Sequence, residues 1–225
     1  MSREIGLRSG DRGVIVGKSG SGKTFLGLEI ARHMPRPLVI VDTKYSASIK
    51  SFAEENGFPI VSTIKKAPDD VCIWRPTDID LADPKLLDEG LQRLLDGKPC
   101  SVYIDELYQF HINGKAGPGL IGLYTRGREA GFCTLGGAQR PVWISLFCLT
   151  EANHFYIMRL DLPQDTKRMA DVSGSPEVAE WVPNRWFWYI EEGDDPVLMH
   201  PLTIPEKSDS VADTEPSSST GYYII

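Results

Sequence analysis

The eight residues Gly17-Lys18-Ser19-Gly20-Ser21-Gly22-Lys23-Thr24 follow the spacing G-x4-G-K-[ST], and the chemistry of that spacing is phosphate binding. Gly17, Gly20 and Gly22 have no Cβ, so the backbone can curl and turn its N–H groups inward around an anion. Lys23 then reaches the β- and γ-phosphates, and the Thr24 hydroxyl offers a ligand to Mg2+. A second pair, Asp105-Glu106, ends an apolar run downstream, as a Walker B element does. There Asp105 suits a magnesium ion held through water, and Glu106 suits orienting and deprotonating an attacking water. The expectation is a site at which a nucleoside triphosphate, ATP with Mg2+, is bound and hydrolysed.

These residues need elements to position them. The run 13–16 is a strand leading into the loop, and the apolar spacing of Phe25, Leu26, Leu28, Ile30 and Ala31 predicts a helix that begins near Lys23 and turns its positive end to the anion. Leu38 to Val41 reads as a buried parallel strand ending in Asp42-Thr43-Lys44, followed by a helix over 46–56 closed by Gly57. Short strands are expected at 59–61 and 71–74. Asp83-Pro84 then starts a helix carrying Leu86, Leu87, Leu91, Leu94 and Leu95, ended by Gly97, and the run from Ser101 delivers Asp105. Such alternation predicts βαβ units around a parallel sheet.

Farther along, 107–119 is a glycine-rich loop with two open readings. It is a plain surface connection, or it projects into the channel of a ring with Lys115 meeting phosphates. His111 has no partner at metal-ligand spacing. Leu120, Tyr124, Gly127 and Gly131 share one helical face, while Arg126 and Arg128, two residues apart, project to nearly opposite sides. A strand over 132–138 ends in Gln139. A helix over 142–152, a strand over 154–160, a helix over 163–172 and a hairpin of 186–190 with 197–199 follow.

Composition sets outer bounds. The 225 residues are 41% hydrophobic and 24% charged, enough for one sizeable core, with no apolar stretch of membrane-spanning length and no leader-like start. The division expected is one ATPase domain over 1–204, with a core at 10–175 and a hairpin region at 176–204. A flexible, Ser- and acid-rich tail over 205–225 has the apolar tip Tyr222-Tyr223-Ile224-Ile225. The four scattered cysteines read as buried small hydrophobes in a reducing compartment. Of the net charge of −7, residues 206–225 carry −3 through Glu206, Asp209, Asp213 and Glu215 against Lys207, leaving −4 on the body. That argues against coating nucleic acid with the whole surface but leaves room for local basic loops.

Gly127-Arg128-Glu129-Ala130-Gly131, the strand after it, and Gln139-Arg140-Pro141-Val142-Trp143-Ile144 resemble the FtsK–HerA superfamily of P-loop ATPases, with Asp42-Thr43-Lys44 and Asp105-Glu106 in keeping. Over about residues 10–175 the chain looks most like the genome-packaging ATPases of tailless icosahedral viruses with an internal membrane. The resemblance implies an α/β, RecA-like fold of the additional-strand type, with a mostly parallel sheet between helices. It implies Lys23 and Thr24 on nucleotide and metal, Asp105 on metal, Glu106 as the catalytic carboxylate and Gln139 as the γ-phosphate sensor. An arginine finger would act in trans: Arg128 by motif, with Arg126 left open by helical geometry. The partners implied are double-stranded DNA and further copies of the chain in a ring of five or six, with capsid vertex or portal proteins beside them. The place implied is the host cytoplasm or the packaging vertex of a virion. One departure is Gly136-Gly137, where an apolar pair is usual, which leaves the register of that strand open. The rival readings are a small nucleotide or nucleoside kinase and a Zot-like assembly or secretion ATPase.

Overall fold

A computed structural model describes residues 5–202; the tail expected over 205–225, with its apolar tip, lies outside the described residues. The phosphate-loop strand is β1 (Arg12–Val16), and α1 (Lys23–His33) follows the loop. Then come β2 (Leu38–Val41), α2 (Ala47–Asn56), β3 (Ile60–Val61), β4 (Val71–Trp74), α3 (Asp78–Ala82), α4 (Pro84–Leu95) and β5 (Ser101–Ile104). A small hairpin, β6 (His111–Ile112) and β7 (Lys115–Ala116), precedes α5 (Pro118–Tyr124), α6 (Arg126–Ala130) and β8 (Cys133–Ala138). The chain continues through α7 (Leu146–Thr150), β9 (His154–Met158), α8 (Pro163–Ser173), β10 (Phe187–Glu191) and β11 (Val197–Met199).

Nine of these strands form one sheet in the order β11-β10-β9-β1-β8-β5-β2-β4-β3. Pairings from β3 across to β9 are all parallel; β10 runs antiparallel to both β9 and β11. This is the mostly parallel α/β sheet expected. The inner strands are apolar on both faces because both faces are covered. Val14, Val16, Val39, Val41, Val102 and Ile104 pack toward Leu87, Leu91 and Leu94 of α4, Leu120 and Leu123 of α5 and Met169 of α8. Ile15, Leu38, Ile40, Tyr103 and Leu135 face the other way, toward Leu26, Leu28 and Ile30 of α1 and Ile49 and Phe52 of α2.

The local signals act as their chemistry dictates. The Asp83 side chain accepts from the Lys85 amide at 3.0 Å and caps α4, with Pro84 in its first turn. Gly57 closes α2 in a left-handed conformation. All four cysteines are free and buried.

Three expectations are corrected. The face from Leu120 to Gly131 is not one helix: the chain breaks at Thr125 between α5 and α6. At the break Thr125 leaves helical geometry, with ψ −94°, and its hydroxyl donates back to Ile121 O at 2.8 Å. Buried Asp88 of α4 accepts from the amides of Gly119 and Leu120 at 2.7 and 2.9 Å, which fixes the start of α5 against α4. The helix over 142–152 is a single 3-10 turn at Pro141–Trp143 and then α7; between them the Ser145 amide donates to His111 Nε2 at 2.7 Å. The loop over 107–119 holds a 3-10 turn and the β6–β7 hairpin, whose exposed bend is Asn113-Gly114. His111 is therefore a buried structural link, with its other nitrogen donating to Leu107 O at 3.0 Å.

Candidate active site

The C-terminal ends of β1, β5, β2, β8 and β9 come to one edge of the sheet, the place where open α/β sheets hold ligands. A cavity of about 700 Å3 opens there, lined among others by Ser19, Gly20, Gly22, Lys23, Thr24, Lys44, Asp105 and Gln139. Gly20 and Gly22 take φ values of 77° and 103°, a left-handed backbone that only glycine adopts without strain.

The eight-residue loop does not contribute as a unit. The Gly17 amide donates to Ala138 O at 3.2 Å and the Lys18 amide to Arg159 O at 2.9 Å, so these two N–H groups anchor the loop to β8 and β9. A Cβ on Gly17 would meet Ser21 Oγ and Met158 Cβ at 2.7 and 2.8 Å, so this glycine serves packing. Ser21 is fully buried, and the Lys18 ammonium pairs with Asp161 at 2.7 Å. Ser19, Gly20, Gly22, Lys23 and Thr24 are the loop residues that face the cavity.

Lys23 Nζ donates to Gly17 O at 2.7 Å and Lys18 O at 2.9 Å. Burial, helped by the nearby Lys44 ammonium and opposed by Glu106 and Asp105, pulls its pKa down to about 8. Thr24 Oγ1 donates to Asp105 Oδ1 at 2.9 Å, and the buried Tyr103 hydroxyl donates to the same oxygen at 2.9 Å. Asp105 is 2% exposed and Glu106 8%. Lys44, in the turn after β2, lies 2.8 Å from Glu106 Oε2 and 3.4 Å from Asp105 Oδ2. Burial opposes its charge, but the two carboxylates outweigh that and raise its pKa.

Mg2+ keeps several waters and takes one or two protein oxygens plus substrate phosphates. The hydroxyl of Thr24 beside the carboxylate of Asp105 is a donor set of that kind. Among the described residues no group of three or more His, Cys, Asp or Glu could hold a metal.

β8 lies between β1 and β5, and its end presents Gln139 to the cavity. The Gly136-Gly137 departure has a steric cause. A Cβ on Gly137 would sit 2.5 Å from Asp105 O, and one on Gly136 2.5 Å from the Leu107 side chain. The glycines let β8 close on the turn that carries the two acids, with Ile104 paired to Gly136.

Arg126 and Arg128 are not in this cavity. Both are exposed on α6, at the opposite end of β8. The Arg128 carbonyl lies against Gly10, before β1, and Arg126 folds back over Gly122. Sequence reasoning also missed one wall of the cavity, formed by Met158, Arg185, Phe187, Pro201 and Leu202. No local motif marks it, because antiparallel pairing of β10 with β9 brings these residues there. Arg185 takes φ 68°, unusual for a residue with a side chain.

No family model matches the chain, and a search of curated proteins finds no match. Solved structures do match. The genome packaging NTPase B204 from Sulfolobus turreted icosahedral virus 2, in complex with sulfate, superposes with a TM-score of 0.66 at 16% identity, over 86% of this chain and 97% of that one. VirB4 of Thermoanaerobacter pseudethanolicus gives 0.64 at 7% identity, over 86% and 90%. The cytoplasmic domain of the Thermomonospora curvata Type VII secretion ATPase EccC gives 0.60 at 16%, over 89% of this chain and 26% of that one. The chain has the fold of these proteins. The RecA-like P-loop architecture expected from the sequence is borne out. Among the described residues no helix is long and apolar enough to cross a membrane.

Proposed function

We propose that the chain is an ATP hydrolase that works as a homomeric ring and uses the hydrolysis cycle to move double-stranded DNA into a procapsid. The observation that carries the hydrolase reading is the meeting of Lys23, Thr24, Asp105 and Gln139 on one cavity, with Glu106 tied to that cavity through Lys44. Lys23 and the glycine amides hold the β- and γ-phosphates, and Thr24 with Asp105 holds the magnesium ion. When bound, that ion supplies positive charge against the phosphate oxygens. Water attacks the γ-phosphorus, the bond to the β,γ-bridging oxygen breaks, and ADP leaves with the electron pair. Glu106 takes the proton of the water and returns it to solvent. Gln139, at the tip of the inserted strand, senses the γ-phosphate.

The packaging reading is supported by the likeness of fold to a viral packaging NTPase over nearly all of that protein's length, together with the Gln139-Arg140-Pro141 stretch. A secretion or assembly ATPase is the second reading, favoured by the likeness to VirB4 and EccC. The deciding measurement is ATP turnover with and without long duplex DNA across salt concentrations. Packaging predicts stimulation that fades as salt rises, because phosphate contacts weaken steeply with salt. Turnover indifferent to duplex DNA at low salt removes the DNA motor and leaves the second reading.

A further inference from the structure

Lys44 stands between the acids and the cavity. Its ammonium has three N–H bonds, and Glu106 and Asp105, at 2.8 and 3.4 Å, engage two of them. The side chain remains 30% exposed and lines the cavity along with Lys23, Thr24 and Gln139. Two buried carboxylates need a cation nearby, which accounts for the ion pairs alone. It does not account for the way Lys44 is presented.

That presentation is unusually fixed. Asp42, fully buried just before it, accepts from Arg75 Nε and Nη2 at 3.0 and 2.6 Å and from the Ser46 amide at 2.9 Å. Tyr45, just after it, takes φ 52°, a left-handed backbone that a bulky side chain disfavours. Its hydroxyl donates to Pro76 O at 2.7 Å, and the Arg75 guanidinium lies 5.4 Å over its ring. Backbone strained in this way clusters at active sites and ligand clamps. Lys23 is held by the phosphate loop, and Lys44 comes from the turn after β2, so the cavity has ammonium groups on two separate segments.

We propose that Lys44, alongside the sensor Gln139, makes the site tell a nucleoside triphosphate from a diphosphate. Its remaining N–H engages the terminal phosphoryl group while the others hold Glu106, so one ammonium ties the base to the phosphorus it serves. This inference rests on the cavity being an ATP site. A diphosphate lacks the group that Lys44 engages, and its binding falls to Lys23 and the loop amides.

The test is calorimetric affinity for ATPγS and for ADP, each with Mg2+, in the wild type, Lys44→Met, Lys44→Arg, Glu106→Gln and the double variant Lys44→Met/Glu106→Gln. Lys44→Met is expected to weaken ATPγS on the order of 10- to 100-fold, as for loss of a hydrogen bond to a charged group, and ADP about twofold at most. Lys44→Arg recovers part of the loss. The selective loss persists in the Glu106→Gln background, where residue 106 has no charge to neutralise. An unchanged ATPγS-to-ADP ratio in Lys44→Met overturns the proposal. So does a selective loss that vanishes in the Glu106→Gln background, since Lys44 is then a counter-ion only. Equal weakening of both nucleotides with a lowered melting temperature assigns Lys44 to folding and overturns it as well. A wild type that retains neither nucleotide ends the ATP reading, and this inference with it.

Discussion

Lys23 and Glu106 divide the proposed chemistry, and their surroundings say how each should fail. Lys23 Nζ rests on the carbonyls of Gly17 and Lys18, so its length and charge are directed across the mouth of the loop. Lys23→Ala removes the cation that faces the phosphates, and we expect equilibrium binding of ATP to fall below detection, with turnover lost. Glu106 is not on the cavity wall; it reaches the site through its pairing with Lys44. Glu106→Gln keeps the shape and hydrogen-bonding capacity but loses the proton acceptor. Binding of ATP should persist while phosphate release slows about 10²- to 10⁴-fold, the usual worth of a positioned general base. Phosphate release near the wild-type rate in Glu106→Gln would take that carboxylate out of the mechanism. At this scale the sequence was legible where spacing is local. Lys23, Thr24 and Asp105 sit as their motifs require, whereas the pairing of Lys44 with Glu106 joins two turns 62 residues apart in sequence, and the wall at Met158 and Arg185 has no motif at all.

Between elements, the tightest constraint is the approach of β8 to the turn after β5. Gly137 faces the Asp105 carbonyl, which is backbone, while Gly136 faces the side chain of the fully buried Leu107. Both Gly137→Ala and Gly136→Ala should therefore cost about 1–3 kcal/mol, in the range of overpacking, but only Gly137→Ala pushes Asp105 itself away from Thr24. ATP turnover should fall in Gly137→Ala and be spared in Gly136→Ala. Melting temperatures and ATP turnover of the two variants check this, and equal losses of turnover would count against it. A second joint ties the starts of β1 and β9. Burial pushes the Asp11 carboxyl up, but hydrogen bonds from His154, the Arg8 amide and Asn153 outweigh it and hold it at about 2. A carboxyl with its pKa depressed on folding stabilises above its ordinary value of 3.8, and that contribution fades as pH falls from 3.8 toward 2. Asp11→Asn should melt below the wild type near neutral pH, with the gap closing as pH approaches 2; a gap independent of pH would show that the charge is not what matters. Strand positions were legible because β1, β2, β4 and β5 are apolar runs bounded by turn residues. The start of α5 and the break at Ile144-Ser145 were not, because they are held by Asp88 and His111, an acid and a ring supplied by other segments.

At the scale of the molecule, the arginines and the cavity lie at opposite ends of the sheet. β8 has α6 before it and Gln139 after it, and its six residues span about 20 Å at ~3.3 Å per residue. An extended arginine side chain cannot cover that distance around a packed sheet, so neither Arg126 nor Arg128 can serve the cavity of its own chain. Both are exposed, and charge there is free to meet a second copy. If a ring stacks the α6 end of one copy on the cavity of the next, each site is built from two chains, and hydrolysis depends on assembly. An arginine supplied in this way is worth about 10³–10⁵ in rate. Arg128→Ala and Glu106→Gln should then each be nearly inactive as uniform preparations, for different reasons. Mixed, they create junctions at which an intact Glu106 faces an intact Arg128, and part of the ATPase activity should return. The comparison of Arg126→Ala with Arg128→Ala in the same mixing assay identifies which side chain crosses the junction. If neither mixture recovers activity while both variants still assemble, the shared site is wrong, and the charge on the γ-phosphate must be met from within one chain by Lys23 and Lys44.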